Sequence, residues 1–299
     1  MTAEPATALP RPTSPPARRG VLLMVAATAV FALQDGLSRH LAEASNVLTV
    51  VTIRYWFFAA FALLMARRTA GSLRAAVRTS RPLLQALRGL VLAAEVCVMV
   101  AAFTLLGLVE SHAVFTASPL IVAALGAVLL GERVGPWRWG AIAVGFCGVL
   151  LILRPGAGVL RVEALVPLLA ACLWAAYAIL TRLAGRADAA ATSFLWAGVV
   201  GALGLTPLGL WAWEPLAGRD WAAMAALCLT SVLGHWLLIR AYGAAEASAL
   251  QPFAYLQLVF ASAVGVVAFR EVVTPPVLLG AAVVVAAGLF TLWRERPPA

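Results

Sequence analysis

Residues 31–39, FALQDGLSR, return in altered form at residues 174–182, WAAYAILTR. Phe31 pairs with Trp174, Gln34 with Tyr177, Ser38 with Thr181 and Arg39 with Arg182. A second echo sits at nearly the same offset, where Gly131-Glu132-Arg133 and Arg270-Glu271 each close an apolar run. Each is followed by Pro136 or Pro275, by a further run holding Gly148 or Gly288, and finally by Arg154 or Arg294. The chain reads as one half written twice. In a membrane protein, paired halves of this kind usually build a transporter that holds its solute where they meet.

Composition puts the chain in lipid. Of 299 residues, 63% are hydrophobic and 12% charged, whereas a soluble domain carries about twice that charged fraction. Apolar stretches near the length needed to cross a core of about 30 Å recur from end to end. They give about ten spans, at 20–39, 46–66, 83–105, 110–131, 136–153, 163–183, 191–213, 221–242, 247–269 and 275–293. Lipid offers the backbone no partner, so these must be helices. The short alternating segments of a barrel are absent. The expected fold is an all-α integral membrane protein, about ten transmembrane helices arranged as two inverted five-helix repeats around a central cavity. Five spans per half is an odd number, so the second half enters from the opposite side and a pseudo-twofold axis lies in the membrane plane.

The order along the chain follows. Residues 1–19, proline-rich, read as a disordered cytoplasmic tail. Residues 20–154 form the first repeat, 155–162 a connecting loop, 163–294 the second repeat, and 295–299 a cytoplasmic tail. The net charge of +9 comes entirely from arginine. Arginines 11, 18, 19, 67, 68, 74, 78, 81, 133, 138, 182, 186, 240, 294 and 296 fall at one set of span ends; 39, 154, 161, 219 and 270 fall at the other. That asymmetry predicts both termini in the cytoplasm, in a bacterial inner membrane. It also argues against nucleic acid as a partner, because the charge serves topology. The Arg67–Arg81 connection reads as a basic surface piece facing lipid headgroups. Cys97, Cys147, Cys172 and Cys228 all sit inside spans without metal-ligand spacing, so they read as small packing residues, and no metal or cofactor is expected.

Polar groups at membrane depth are costly and mark candidate sites. Gln34 and Ser38 share a helix face with Phe31; Trp174, Tyr177 and Thr181 share the equivalent face in the second half. Two such stripes facing each other would make an aromatic-walled pocket, the alternative being aromatic residues at the membrane interface. Asp35 and Glu95 are the acids deepest in apolar sequence, open to proton coupling or to structural pairing with Arg54 or Arg88. His235, aligned with Met99 one turn from Glu95, either lines the pocket or is a neutral packing histidine. His112 and His40 lie near span ends and carry little signal. The fourth and ninth spans carry Thr116, Ser118 and Pro119, and Pro252, Tyr255 and Gln257; counting back from Glu132 and Glu271 aligns Thr116 with Tyr255 and Ser118 with Gln257, and the prolines suit a gating kink or simple packing. Gly140, Gly145 and Gly148 with Gly280, Ala287 and Gly288 suit tight helix pairing, within one chain or across a homodimer.

At these residues the chain resembles the drug/metabolite transporter superfamily, EamA type. The resemblance covers nearly all of residues 20–293. It rests on the five-plus-five repeat, Arg54, the small-residue and Pro119 pattern, and Gly131-Glu132 before a glycine-rich span. Within that superfamily it looks most like the YddG-like amino-acid exporters. The resemblance implies a basket of helices around a cavity lined by Gln34, Ser38, Glu95, Met99, Thr116, Ser118, Trp174, Tyr177, His235, Tyr255 and Gln257. It implies export of aromatic and other neutral amino acids, such as threonine or methionine, and of similar metabolites by alternating access. A drug, nucleoside or polyamine is the alternative cargo, with proton coupling through Glu95 or Asp35. The second glutamate motif, Phe269-Arg270-Glu271, departs from the pattern by lacking a glycine. Metalloprotease, magnesium and serine–histidine motifs are absent, so an enzyme is not expected. The partners are a small solute and membrane lipid.

Overall fold

The computed structural model describes residues 15–70, 73–130, 135–153, 162–244, 250 and 253–294. Among these residues the regular structure is helical and no strand occurs. The first half contains α1 (Pro15–Ala44), α2 (Val47–Ala70), the short α3 (Leu73–Val77), α4 (Pro82–Phe115), α5 (Ser118–Leu130) and α6 (Pro136–Leu153). A 3-10 turn at Val162–Ala164 opens the second half, followed by α7 (Leu165–Ala184), α8 (Ala190–Trp211), α9 (Asp220–Ala244), α10 (Leu256–Phe269) and α11 (Pro275–Arg294). The expected tails at 1–14 and 295–299, the loop at 154–161, and Glu132 and Pro252 lie outside the described residues.

Six helices are long and apolar enough to cross a membrane, at Arg18–Ala44, Val47–Arg68, Pro82–Phe115, Val162–Ala184, Ala191–Trp211 and Asp220–Leu238. Shorter apolar helices fall at the other four expected spans. Side chains on the bundle's outside fit lipid: Leu83, Trp211 and Val267 are 85%, 84% and 82% exposed. Water would penalise such a surface, whereas hydrocarbon does not.

The third and fourth spans meet at a kink inside α4. Gly107 takes φ 85, ψ 176 and breaks the helix there, so α4 consists of two helical segments, the second lying in the fourth span. That region is open to glycine and costly for any residue with a Cβ. A second break follows at Thr116-Ala117, where Ala117 donates to Val114 O rather than one residue further back. Pro119 then sits in the first turn of α5, where its missing N–H removes no helix bond. In the second half, a turn at Tyr255 separates Phe253-Ala254 from α10. Tyr255 is the residue that the repeat pairs with Thr116.

Packing interlocks the halves. α1 lies mainly on α9, and α7 mainly on α4; α2 packs on α8, and α6 on α11. The last of these is a glycine seam. A Cβ added to Gly148 would stand 2.8 Å from the Gly280 carbonyl oxygen, so only glycine allows this approach. Gly145 faces Leu120 and Ala287, while Gly140 has nothing within 4 Å.

Hydrogen bonds define two ends of the bundle. At the Gly107 end, Asn46 Nδ2 donates to Ala212 O at 2.7 Å and Ser45 Oγ to Glu214 O at 3.1 Å. At the Asp188 end, Trp196 Nε1 donates to Val77 O at 3.0 Å. Ala76 of α3 is buried beside Ala62, Ala66 and Leu195, which ties the Arg67–Arg81 connection to α8. Arg67, Arg68, Arg74, Arg78 and Arg81 remain exposed.

Candidate functional site

At the Gly107 end, Glu271 follows α10 and reaches back to α4. Its Oε1 accepts from Leu108 N–H at 2.8 Å and its Oε2 from Val109 N–H at 2.8 Å. These amides open the helical segment after Gly107, where unsatisfied donors and the helix dipole favour a carboxylate. Arg39 of α1 pairs with the same Glu271 carboxylate. It also binds Glu43 at 2.8 Å and lies 4.2 Å from the centre of the Phe269 ring. The glycine missing from the second glutamate motif is replaced by strain, since Arg270 itself takes the left-handed conformation at φ 55, ψ 32. Glu271 N–H then closes back on Gly265 O at 3.1 Å.

Further into the bundle lies a second cluster. Asp35 Oδ2 is 3.1 Å from His112 Nε2 and accepts from Gln257 Nε2 at 3.2 Å. His112 Nδ1 donates to Leu108 O at 3.0 Å, and its ring stacks on Phe103 at 5.1 Å and 7°. Asp35 therefore meets histidine and glutamine rather than the arginine considered from sequence. His112, near a span end, gave no sequence signal beyond its being ionisable; its role comes from a partner 77 residues away.

The Asp188 end is built differently. Arg88 is fully buried, with Nε donating to Gln85 Oε1 at 3.1 Å and Nη1 to Tyr177 Oη at 3.2 Å and Thr181 Oγ1 at 3.4 Å. Its other amino group donates to Ser193 O. The sequence offered Arg88 as a partner for the deep acids, but its direct contacts are neutral oxygens of helices α4, α7 and α8. Asp188 lies outside the spans and accepts from Thr79 Oγ1 at 2.5 Å and Gln85 Nε2 at 2.7 Å. Those two hydrogen bonds hold its carboxyl below the ordinary carboxylate range.

Between the ends stand two aromatic groups. His235 meets Phe31 edge-on at 5.3 Å and Phe58 face-on at 6.1 Å, with Nδ1 donating to Ser231 O at 2.8 Å. Trp174 lies 5.6 Å from Tyr177 and 6.2 Å from Phe115. Gln34 is 4% exposed, and its Oε1 is buried without a partner. Ser111 Oγ is likewise unpartnered. Glu95 is buried, and the charges bearing on it are Arg54 and Asp35.

The remaining candidates scatter. Ser38 Oγ bonds Gln34 O of its own helix at 2.9 Å, and Thr116 Oγ1 bonds Ala113 O at 2.6 Å. Met99 belongs to an apolar cluster with Val51, Tyr55 and Phe103. Ser118 is buried at the start of α5, and Pro119 is exposed. Tyr255 Oη abuts Gly288, which directs that side chain towards α11. A shallow recess of about 560 Å³, lined by Asn46–Leu48 and Trp211–Glu214, sits at the rim of the Gly107 end and contains none of the candidates.

The EamA-like transporter family matches residues 18–154 and again residues 162–293. The chain belongs to that family. Among similar proteins is a riboflavin transporter of Rhizobium johnstonii, 33% identical over 234 residues, covering 75% of this chain and 76% of the relative. An S-adenosylmethionine uptake transporter of Rickettsia prowazekii is 24% identical over 277 residues, 93% of each chain. A pseudopaline exporter, CntI, of Pseudomonas aeruginosa is 28% identical over 276 residues, covering 90% of this chain and 94% of the relative. This EamA-family chain is therefore a multi-pass membrane transporter, and these relatives are named for cargoes other than simple amino acids.

Proposed function

We propose that this transporter carries a small heteroaromatic metabolite of the flavin or nucleoside class between its halves by alternating access. The observation that carries this reading is the buried, unpartnered Oε1 of Gln34, set one turn from Phe31 and its aromatic neighbours. An acceptor left bare in lipid costs free energy unless a ligand supplies a donor. Flat nitrogen heterocycles carry ring N–H or amino donors and stack well on aromatic faces. Riboflavin and S-adenosylmethionine, named for two relatives, both contain such rings.

The architecture of this reading is ten spans in two inverted halves. Its support is the doubled family match and the packing, in which α1 on α9 and α7 on α4 are the same contact made twice. The site takes Gln34, Ser38, Glu95, Met99, Thr116, Ser118, Trp174, Tyr177, His235, Tyr255 and Gln257 as candidates, with Pro119 and Pro252 at the kinks. Exposed arginines gather at the Asp188 end, which favours that end and both termini on the cytoplasmic side of a bacterial inner membrane. The Gly148–Gly280 seam lies within one chain, which favours a monomer over a homodimer.

Amino-acid export is the second reading. Glu95, buried at membrane depth with Arg54 among the charges that bear on it, suits the amino group of a zwitterion. Counterflow in proteoliposomes with labelled riboflavin, adenosine, phenylalanine and methionine separates the two. Saturable riboflavin or adenosine exchange, reduced by Gln34→Ala and Trp174→Ala at normal expression, is the expected result. Exchange of phenylalanine or methionine alone would replace the first reading with the second.

A further inference from the structure

We infer that Asp35 and His112 form the binding site for a coupling proton, and that its occupancy governs closure of the Gly107 end. Leu108 O can only accept, so His112 Nδ1 carries a hydrogen across their 3.0 Å contact. A neutral imidazole has one N–H, which leaves Nε2 as a bare acceptor. Nε2 nevertheless sits 3.1 Å from Asp35 Oδ2, itself an acceptor when ionised. Two bare acceptors repel at that distance. The contact is therefore made with one added proton, held on the imidazole or on the carboxyl. Losing that proton removes the attraction and separates the pair.

Other titratable and charged groups surround the pair. Arg39, on the next turn of α1, is occupied by Glu271 and Glu43. Glu95 of α4 is a second buried carboxyl near the pair, and Arg54 of α2 and Asp35 both bear on it. His235 of α9 is engaged by Ser231 O and by Phe31 and Phe58. From α10 the facing group is the neutral Gln257 amide, and Arg270 beyond it is exposed. Phe103 covers the ring of His112, whose side chain is 4% exposed against 13% for Asp35. The site is thus sheltered from water and open to it only at the carboxylate.

Coupling to the bundle end follows from Leu108. Its N–H donates to Glu271 and its carbonyl accepts from His112. Asp35 and Arg39 lie four residues apart on one face of α1. The proton pair and the Arg39–Glu271 latch therefore grip the same two elements, α1 and the helical segment after Gly107. Protonation closes both; release of the proton frees α1 from α4 at that end.

This inference rests on the chain being a transporter and uses the proposed cargo only in one arm of its test. The first arm is hydrogen–deuterium exchange of the peptide spanning residues 104–115 in proteoliposomes, from about pH 5 to about pH 8. After correction for intrinsic exchange, protection in the wild type should fall about tenfold as the pH rises. In Asp35→Asn the amide donates to Nε2 without an added proton, so protection should stay high throughout. Should that variant not fold, His112→Gln supplies a non-titrating donor to Asp35 and serves the same purpose. Equal protection in the wild type across the range, or wild-type behaviour in the variant, overturns the inference. The second arm measures riboflavin transport with and without a pH gradient, as a ratio to each protein's own counterflow. The gradient should raise that ratio in the wild type and not in Asp35→Asn. Riboflavin counterflow indifferent to the gradient also overturns the inference. If riboflavin is not exchanged at all, the cargo reading falls and the exchange measurement alone decides.

Discussion

The two ends of the bundle hold arginine in opposite ways. At the Gly107 end, Arg39 meets a carboxylate, Glu271, which also caps a broken helix through the amides of Leu108 and Val109. At the Asp188 end, Arg88 is more deeply buried, yet its donors go to Gln85, Tyr177, Thr181 and the Ser193 carbonyl, all neutral. A charged pair is strong while intact and costly when half is lost. A guanidinium spread over neutral acceptors is less switchable, since no single partner can release it. The first arrangement suits an end that loss of one partner can open, and the second suits a joint that opens only when several bonds are released together.

Removing one partner from each end tests that contrast. Glu271→Ala strands the amides of Leu108 and Val109 and leaves Arg39 with the exposed Glu43 alone, and loss of one member of a buried pair costs about 3–5 kcal/mol. The carboxylate is 13% exposed, so the lower figure applies. The thermal midpoint in detergent should drop sharply, and thiols introduced at the Gly107 end should become reactive while those at the Asp188 end do not. Arg88→Met strands only neutral acceptors and should cost about 1–3 kcal/mol. A larger loss from Arg88→Met than from Glu271→Ala would reverse the comparison.

Smaller changes sharpen it. Arg270 stands at φ 55, a conformation that costs a side-chain-bearing residue about 1–2 kcal/mol. Arg270→Gly relieves that strain and loosens the unfolded chain, leaving a net gain of less than about 1 kcal/mol. A small rise in thermal midpoint is expected; a fall would show that the arginine side chain contributes more than its backbone costs. Asp188 gives the weakest effect. Its carboxyl is held below the ordinary range, so its stabilisation is complete above that range and is lost as the pH falls through the lowered value. The wild type should therefore lose more thermal stability on acidification than Asp188→Asn does. The difference should be small, because water screens so accessible a group. Parallel pH curves for the two proteins would remove Asp188 from the joint.

The duplicated halves and the helices were legible because they are written in local signals: repeat spacing, apolar run length and the proline and glycine positions. The breaks at Thr116-Ala117 and Tyr255 fall in the fourth and ninth spans. The polar clusters were not legible, because each depends on residues brought together from afar. Glu271 meets Leu108 across 163 residues and His112 meets Asp35 across 77. Sequence singled out the Arg270-Glu271 motif only as a mark of repetition, with no hint that the carboxylate caps another helix. Tyr255 aligned with a pocket position, but its hydroxyl abuts Gly288 because that glycine leaves room. A single sequence specifies which face a residue occupies more readily than which helix lies opposite.

The central claim is that the Gly107 end opens by separation of α1 from Glu271. Spin labels at Ala44 and Val272, both at the surface, report that separation as a distance distribution by pulsed electron resonance in proteoliposomes. Two populations whose ratio shifts towards the longer distance as the pH is raised are predicted. A single distance, unmoved by pH and by Glu271→Ala, would contradict the account.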